Sequence, residues 1–132
     1  MSVQFRITTI DTVWEAVAQN KKLNKYNHTI IDEQFAFYQD DGLTRFNALD
    51  RNKLLPSNVP EGSFIIWAHT PVSSLFSCLW FNEVERFTPR DQLSFAYTYQ
   101  KLRRMNPEKP FRLNMFKVRI SVESFLQHIN GN

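Results

Sequence analysis

The stretch Leu75–Phe95, LFSCLWFNEVERFTPRDQLSF, constrains the fold of this chain more than any other. It places Phe76, Leu79, Trp80 and Phe81 beside Glu83 and Glu85, then turns through Phe87-Thr88-Pro89 into Arg90-Asp91-Gln92. Apolar bulk next to fixed charge makes a pocket wall with a few polar groups. It equally makes a core helix with a wet edge. The pattern predicts a helix after Thr70-Pro71, capped by Ser73 or Ser74 and carrying Leu75, Phe76, Leu79, Trp80 and Val84. A second helix is predicted with Thr88 at N-cap, Pro89 at N1 and Asp91 at N3, where a carboxylate can reach back to the cap amide. Leu93, Ala96, Tyr97 and Leu102 give that helix an apolar face, and Arg103-Arg104 suit its C-terminus.

The flanking sequence supplies elements for this pair to pack on. Thr12-Val13-Trp14-Glu15 has the form of a capping box opening a helix with Val13, Trp14, Val17 and Ala18 on one side. A further helix is expected from Thr29 to Asp41, striped by Ile31, Phe35 and Tyr38 and stopped by Gly42. Leu43 to Gly62, with Pro56, Pro60 and Asn/Asp punctuation, reads as irregular. Ser63 to Trp67 reads as a short buried strand, and Phe111 to Ile120 has strand character. At 132 residues the chain is long enough for one domain with a real core and short for two.

Apolar runs fall well short of the roughly 20 residues needed to span a bilayer, and the N-terminus lacks the apolar core of a signal peptide. A single cysteine, Cys78, excludes an internal disulfide; among Phe76, Leu79 and Trp80 it reads as a buried, inert thiol. Asn27-His28-Thr29 is a glycosylation sequon, meaningful in a luminal chain. The net charge of +3 is unevenly spread. Residues 86–119 carry nine Lys/Arg against Asp91 and Glu108, leaving +7 there and −4 elsewhere. Such a segment is either a solvated helix edge or a surface that meets phosphate, nucleic acid or an acidic polysaccharide.

Catalytic signatures such as the P-loop, the nucleophile elbow and the paired-histidine zinc motif do not occur. His28 and His128 have no ligand-spaced partner. His69 follows an apolar run, and strand ends are where α/β folds place site residues; a loop histidine bonded to backbone is the plainer alternative. Glu83 and Glu85, two apart on a helix, point away from each other and make a poor joint metal site. Asp91 is the leading candidate, either as a helix-start device or as a group beside a ligand held at a helix N-terminus.

Val59–Tyr97, VPEGSFIIWAHTPVSSLFSCLWFNEVERFTPRDQLSFAY, closely resembles the C-terminal half of the plant mucilage-related and turgor-regulation-defect glycosyltransferase-like domain. The family pattern runs as a VPEG segment, an Arg-Glu-His triplet, a Leu-Phe-x-Cys-Leu-Trp-Phe-Asn-Glu-Val run and a Phe-Thr-x-Arg-Asp-Gln-Leu-Ser-Phe run. The likeness extends over roughly Val13 to Phe116, leaving 117–132 as a divergent tail. It implies an α/β fold: a partial GT-A-like (Rossmann-like) domain, helix-rich with a few short strands. It also implies a Golgi, nucleotide-sugar-dependent activity on pectic or mucilage polysaccharide. One family member has instead been associated with ceramide hydrolysis.

By the same resemblance, Asp91 hydrogen-bonds the donor sugar or sits beside the reacting carbon, Gln92 orients the sugar and Arg90 balances charge. Glu83 joins the substrate-facing set. His69, matching the last residue of the triplet, becomes a ligand to the diphosphate or to its metal, manganese or magnesium. The sequence departs from the pattern at Trp67 and Ala68, where the family has Arg and Glu, and after Phe116, where Lys117-Val118-Arg119-Ile120 replaces a Cys and basic residues. The family's upstream half, with its nucleotide-binding sheet and D-x-D metal motif, has no counterpart here, so the isolated chain is expected to be inactive. The alternative function is a non-catalytic module gripping an anionic glycan, or less readily nucleic acid, through residues 86–119.

Overall fold

The computed structural model describes residues 3–6, 12–53, 55, 57–59, 61–66, 68–108 and 111–116. The order of elements is β1 (Val3–Arg6), α1 (Val13–Lys22), α2 (His28–Asp40), β2 (Glu61–Ile66), α3 (Pro71–Arg86), α4 (Asp91–Met105) and β3 (Leu113–Phe116). The described residues are helix-rich, with three short strands in the order β2-β1-β3. β1 runs antiparallel to β2, with a register irregularity between Gln4 and Arg6, and parallel to β3, with Val3 opposite Leu113 and Arg6 opposite Phe116. The central strand, β1, was not expected from the sequence. Val-Gln-Phe-Arg does alternate as a strand should, but four residues are too few for the pattern to stand out. The expected strands at Ser63–Trp67 and Phe111–Ile120 are found at Glu61–Ile66 and Leu113–Phe116; Trp67 and 117–120 lie outside the described residues.

Local chemistry sets most helix ends. Thr12 Oγ1 accepts from Glu15 N at 3.1 Å. Asn27, the sequon asparagine, caps α2 by accepting from Thr29 N (2.9 Å) and Ile30 N (3.3 Å). The C-terminus of α2 closes as a Schellman motif: Gly42 N donates to Gln39 O and Leu43 N to Tyr38 O. Gly42 has φ +98°, a left-handed turn that suits glycine. α3 begins earlier than a Ser73 or Ser74 cap would place it. Thr70 is the N-cap, Pro71 opens the helix, and Ser73 completes the box by accepting from Thr70 N at 3.0 Å. Proline's fixed φ and missing N–H cost nothing at that position.

The expected start of α4 is corrected. Arg90 is its N-cap with no side-chain cap bond, and Asp91 is its first residue rather than its third. Thr88 is buried and donates its hydroxyl to Gln34 Oε1 at 2.8 Å. A buried amide oxygen left unpaired costs more than a helix end that water can satisfy, so the tertiary bond takes the hydroxyl from the cap.

α4 is the spine of the molecule: every residue from Leu93 to Tyr99 is buried. Leu93, Ala96 and Tyr97 pack with Val13, Val17, Ile31 and Tyr38 from α1 and α2. Phe95, Tyr99 and Leu102 pack with Phe76 of α3 and with Leu55, Phe111 and Leu113. Tyr38 and Tyr97 stack at 4.0 Å in the first cluster, and Phe76 lies 5.0 Å from Phe111 in the second. A helix with apolar residues on opposite faces is buried from both sides. Of the apolar face anticipated for α4, Leu93, Ala96 and Tyr97 fall in the first cluster and Leu102 in the second, where Phe95 and Tyr99 join it. Cys78 is also corrected, since it sits on the exposed side of α3 with Leu75 and Phe81.

Candidate functional site

The Arg90-Asp91-Gln92 turn is fixed by the α3–α4 contact. Trp80 Nε1 donates to Asp91 O at 3.0 Å and to Ser94 Oγ at 3.1 Å, so the indole of α3 clasps the first turn of α4. The turn's Asp91 carboxylate is half-exposed and, among the described residues, takes part in no hydrogen bond or ion pair. At a helix's first position it faces the positive end of the macrodipole. Arg90 is half-buried, and its Nε lacks a hydrogen-bond partner. A fixed backbone, an available carboxylate and a guanidinium with unused donors can hold hydroxyls or an oxyanion.

The other expected site residues are not joined to this turn. His69 is exposed in the connection between β2 and α3, and no bond among the described residues links it to Asp91. Glu83 is half-buried and accepts from the Tyr38 hydroxyl at 3.1 Å. That hydroxyl also receives Gln34 Nε2 at 2.9 Å. Burial pushes the Tyr38 hydroxyl far above its ordinary range, which keeps it a neutral donor to Glu83. Gln34, Tyr38, Glu83 and Thr88 thus form one polar network through the core, and one Glu83 oxygen is committed to it. Among the described residues no three His, Cys, Asp or Glu side chains come together as metal donors. His69 offers one nitrogen where manganese or magnesium wants several oxygens, so the described residues do not make up that site.

The basic segment does not form one stripe. Arg86 lies over the rings of Phe37 (4.3 Å) and Phe87 (4.8 Å). Arg104 donates to Asp41 O (2.7 Å) and Gly42 O (3.1 Å) at the end of α2. Lys101 Nζ stands 3.3 Å from Asp41 Oδ2, and Tyr97 donates to the same oxygen at 2.6 Å. The Tyr97 hydrogen bond, helped by Lys101 and Arg104, holds the Asp41 carboxyl below its usual range. The bond to Tyr97 and the nearby carboxylate raise Lys101. Lys109, Lys117 and Arg119 lie outside the described residues.

Sequence reasoning passed over a cavity of about 570 Å³ between the 43–58 loop and the C-terminal half of α4. Arg45, Lys53, Arg103 and Arg104 line it, with Asp50 as the acid, and Tyr99 and Leu55 among its apolar lining. None of Arg90, Asp91, Gln92, His69 or Glu83 does. The signal was the interleaving of Arg, Asn, Asp and Lys in Thr44–Lys53, which the irregular-loop reading absorbed.

The model of the TOD1/MUCI70 glycosyltransferase-like domain matches residues 5–129. Probable hexosyltransferase MUCI70 of Arabidopsis thaliana is 48% identical over 93 residues, covering 70% of this chain and 15% of that protein. Alkaline ceramidase TOD1 of Arabidopsis thaliana is 43% identical over 65 residues, covering 49% of this chain and 13% of that one. The chain therefore spans under a sixth of the length of these relatives. No solved structure matches. Among the described residues no helix is long and apolar enough to cross a membrane. With the match running over almost its whole length, the chain belongs to the TOD1/MUCI70 family of glycosyltransferase-like domains.

Proposed function

We propose that this chain forms the acceptor-side part of a nucleotide-sugar-dependent hexosyltransferase domain of the GT-A type, acting in the Golgi lumen on a pectic or mucilage polysaccharide. The observation that carries this reading is the family match over residues 5–129, together with 48% identity to a probable hexosyltransferase. The ceramidase relative is matched over a shorter stretch at lower identity.

In this reading Asp91 accepts hydrogen bonds from donor-sugar hydroxyls, Gln92 orients the ring, and Arg90 offsets the charge that Asp91 brings beside a diphosphate. Glu83 and His69 contribute from α3 and from the loop before it. Charge that develops on the leaving diphosphate needs fixed positive groups to stabilise it. A divalent cation supplies that in metal-dependent transferases, and here its donors would come from beyond the described residues.

The test is thermal denaturation of the chain titrated with UDP-hexoses and manganese. A raised midpoint that Asp91→Asn abolishes, without release of UDP, is expected. A midpoint that no UDP-hexose moves excludes donor binding by this chain alone, and a raised midpoint that Asp91→Asn leaves in place sinks the donor-facing assignment.

A further inference from the structure

The geometry points to a binding site for an acidic hexose, a pyranose bearing a carboxylate or a phosphate, in the cavity between the 43–58 loop and the C-terminal half of α4. The site stands on its own side chains and not on the transfer reading: along α4, at about 1.5 Å per residue, Arg103 lies roughly 18 Å from Asp91.

Its volume of about 570 Å³ falls within the roughly 300–1,000 Å³ of small-molecule pockets. Three of its cations have no carboxylate partner among the described residues. Arg45 lies over the Trp14 ring at 5.8 Å. Lys53 Nζ donates to Ala48 O at 3.0 Å. Arg103 Nη1 donates to Tyr99 Oη at 3.4 Å, with its guanidinium 5.8 Å from that ring. Each is held in place by a neutral group and keeps donors to spare, since a guanidinium has five and an ammonium three. Spare donors that line one cavity from a loop and a helix are the groups an oxyanion needs.

The remaining lining is suited to hydroxyls rather than to a bare ion. Asp50 Oδ1 accepts Asn52 N at 2.8 Å, leaving acceptor capacity on the same carboxylate. Asn52 and Asn58 are also among the lining residues, and their amides are combined donors and acceptors. A carboxylate among three cations would work against a ligand that were charge alone, and it serves a ligand with hydroxyls to donate.

The cavity is also built in advance. Gln100 pins the loop to α4, accepting from Thr44 N at 3.0 Å and Thr44 Oγ1 at 3.2 Å while donating to Thr44 O at 3.3 Å. Arg104 secures the preceding turn at Asp41 and Gly42. A preformed site avoids the ordering cost of assembling its loop on binding.

Calorimetric titration of the chain with glucuronate, glucose 1-phosphate, glucose and inorganic phosphate tests the inference. At least one acidic sugar should bind tenfold or more tightly than both glucose and phosphate, and the stronger of the two identifies the oxyanion. Raising the salt should weaken that binding. Arg103→Gln should weaken it at least tenfold; because Arg103 rests on a buried tyrosine, Lys53→Gln on the exposed loop is the second variant. Glucose matching the acidic sugars, phosphate matching them, or no binding by either acidic sugar overturns the proposal. So does wild-type affinity in Lys53→Gln.

Discussion

The two ends of α4 invert what their sequences advertise. The N-terminal end carries the recognisable turn, Arg90-Asp91-Gln92, yet its surroundings are occupied by structural work: Trp80 holds the Asp91 carbonyl, and Thr88 serves Gln34. The C-terminal end reads as a solvated basic helix edge, yet there Gln100 and Arg104 fasten a loop and leave a polar cavity beneath it. The cause is the same at both ends. A side chain's neighbours in sequence propose one partner, and its neighbours in space offer a better one.

The severest test of the contrast removes what the ends share. Phe95 is fully buried between Phe76, Trp80 and Tyr99. Phe95→Ala should cost about 3–5 kcal/mol, the range for deleting a buried aromatic side chain, measured by urea unfolding. It should disturb both ends, seen as loss of hydrogen-exchange protection at the Trp80 indole N–H and at the Thr44 amide. Loss confined to one end would make the two ends separate units.

Next in size is the polar network behind the N-terminal end. Tyr38→Phe keeps the ring stack on Tyr97 but strands Gln34 and Glu83, and should cost about 1–3 kcal/mol. A smaller change at Thr88 separates the two accounts of that end directly. As a helix cap, Thr88 should tolerate aspartate without loss. As a buried donor to Gln34 Oε1, Thr88→Asp should destabilise and Thr88→Val should cost about 1–2 kcal/mol. A neutral Thr88→Asp restores the capping account.

How far the sequence could be read follows from the range of each interaction. The helices at Val13–Lys22, His28–Asp40 and Pro71–Arg86 were legible because their signals are local: Thr12 caps Glu15 three residues on, and Gly42 ends α2 where it stands. The strands around Ile65 and Leu113 were legible from short apolar patterns. On the second packing face of α4 Leu102 was legible, but Phe95 and Tyr99 look surplus until Phe76 and Phe111 are placed beside them. Cys78 was misjudged by its apolar neighbours in sequence, which on α3 point elsewhere. At the candidate site, Asp91 was legible by family pattern but its position in the helix was not, since that depends on Gln34, far away in α2. The cavity had only the interleaved polar residues of Thr44–Lys53 as its signal, without periodicity, and its partner residues on α4 lie far away in sequence.

The smallest effect belongs to the C-terminal end, where the bond between α2 and α4 is electrostatic and wet. The Asp41 carboxyl is lowered from its ordinary 3.8, first by the Tyr97 hydroxyl and then by Lys101. A lowered folded-state value means that the unfolded chain binds more protons in acid. This contribution is therefore complete above about the unfolded carboxylate range and is lost as pH falls through the folded value. Because the Asp41 side chain is 41% exposed, solvent screening keeps the contribution to about 1 kcal/mol or less. Urea unfolding of wild type and Asp41→Asn across pH 7 to 2.5 should show two curves that converge toward acid, with their gap at neutrality narrowed by high salt. Curves that diverge as pH falls would mean that this carboxylate does not help to tie the end of α2 to α4, and the electrostatic half of the contrast would fail.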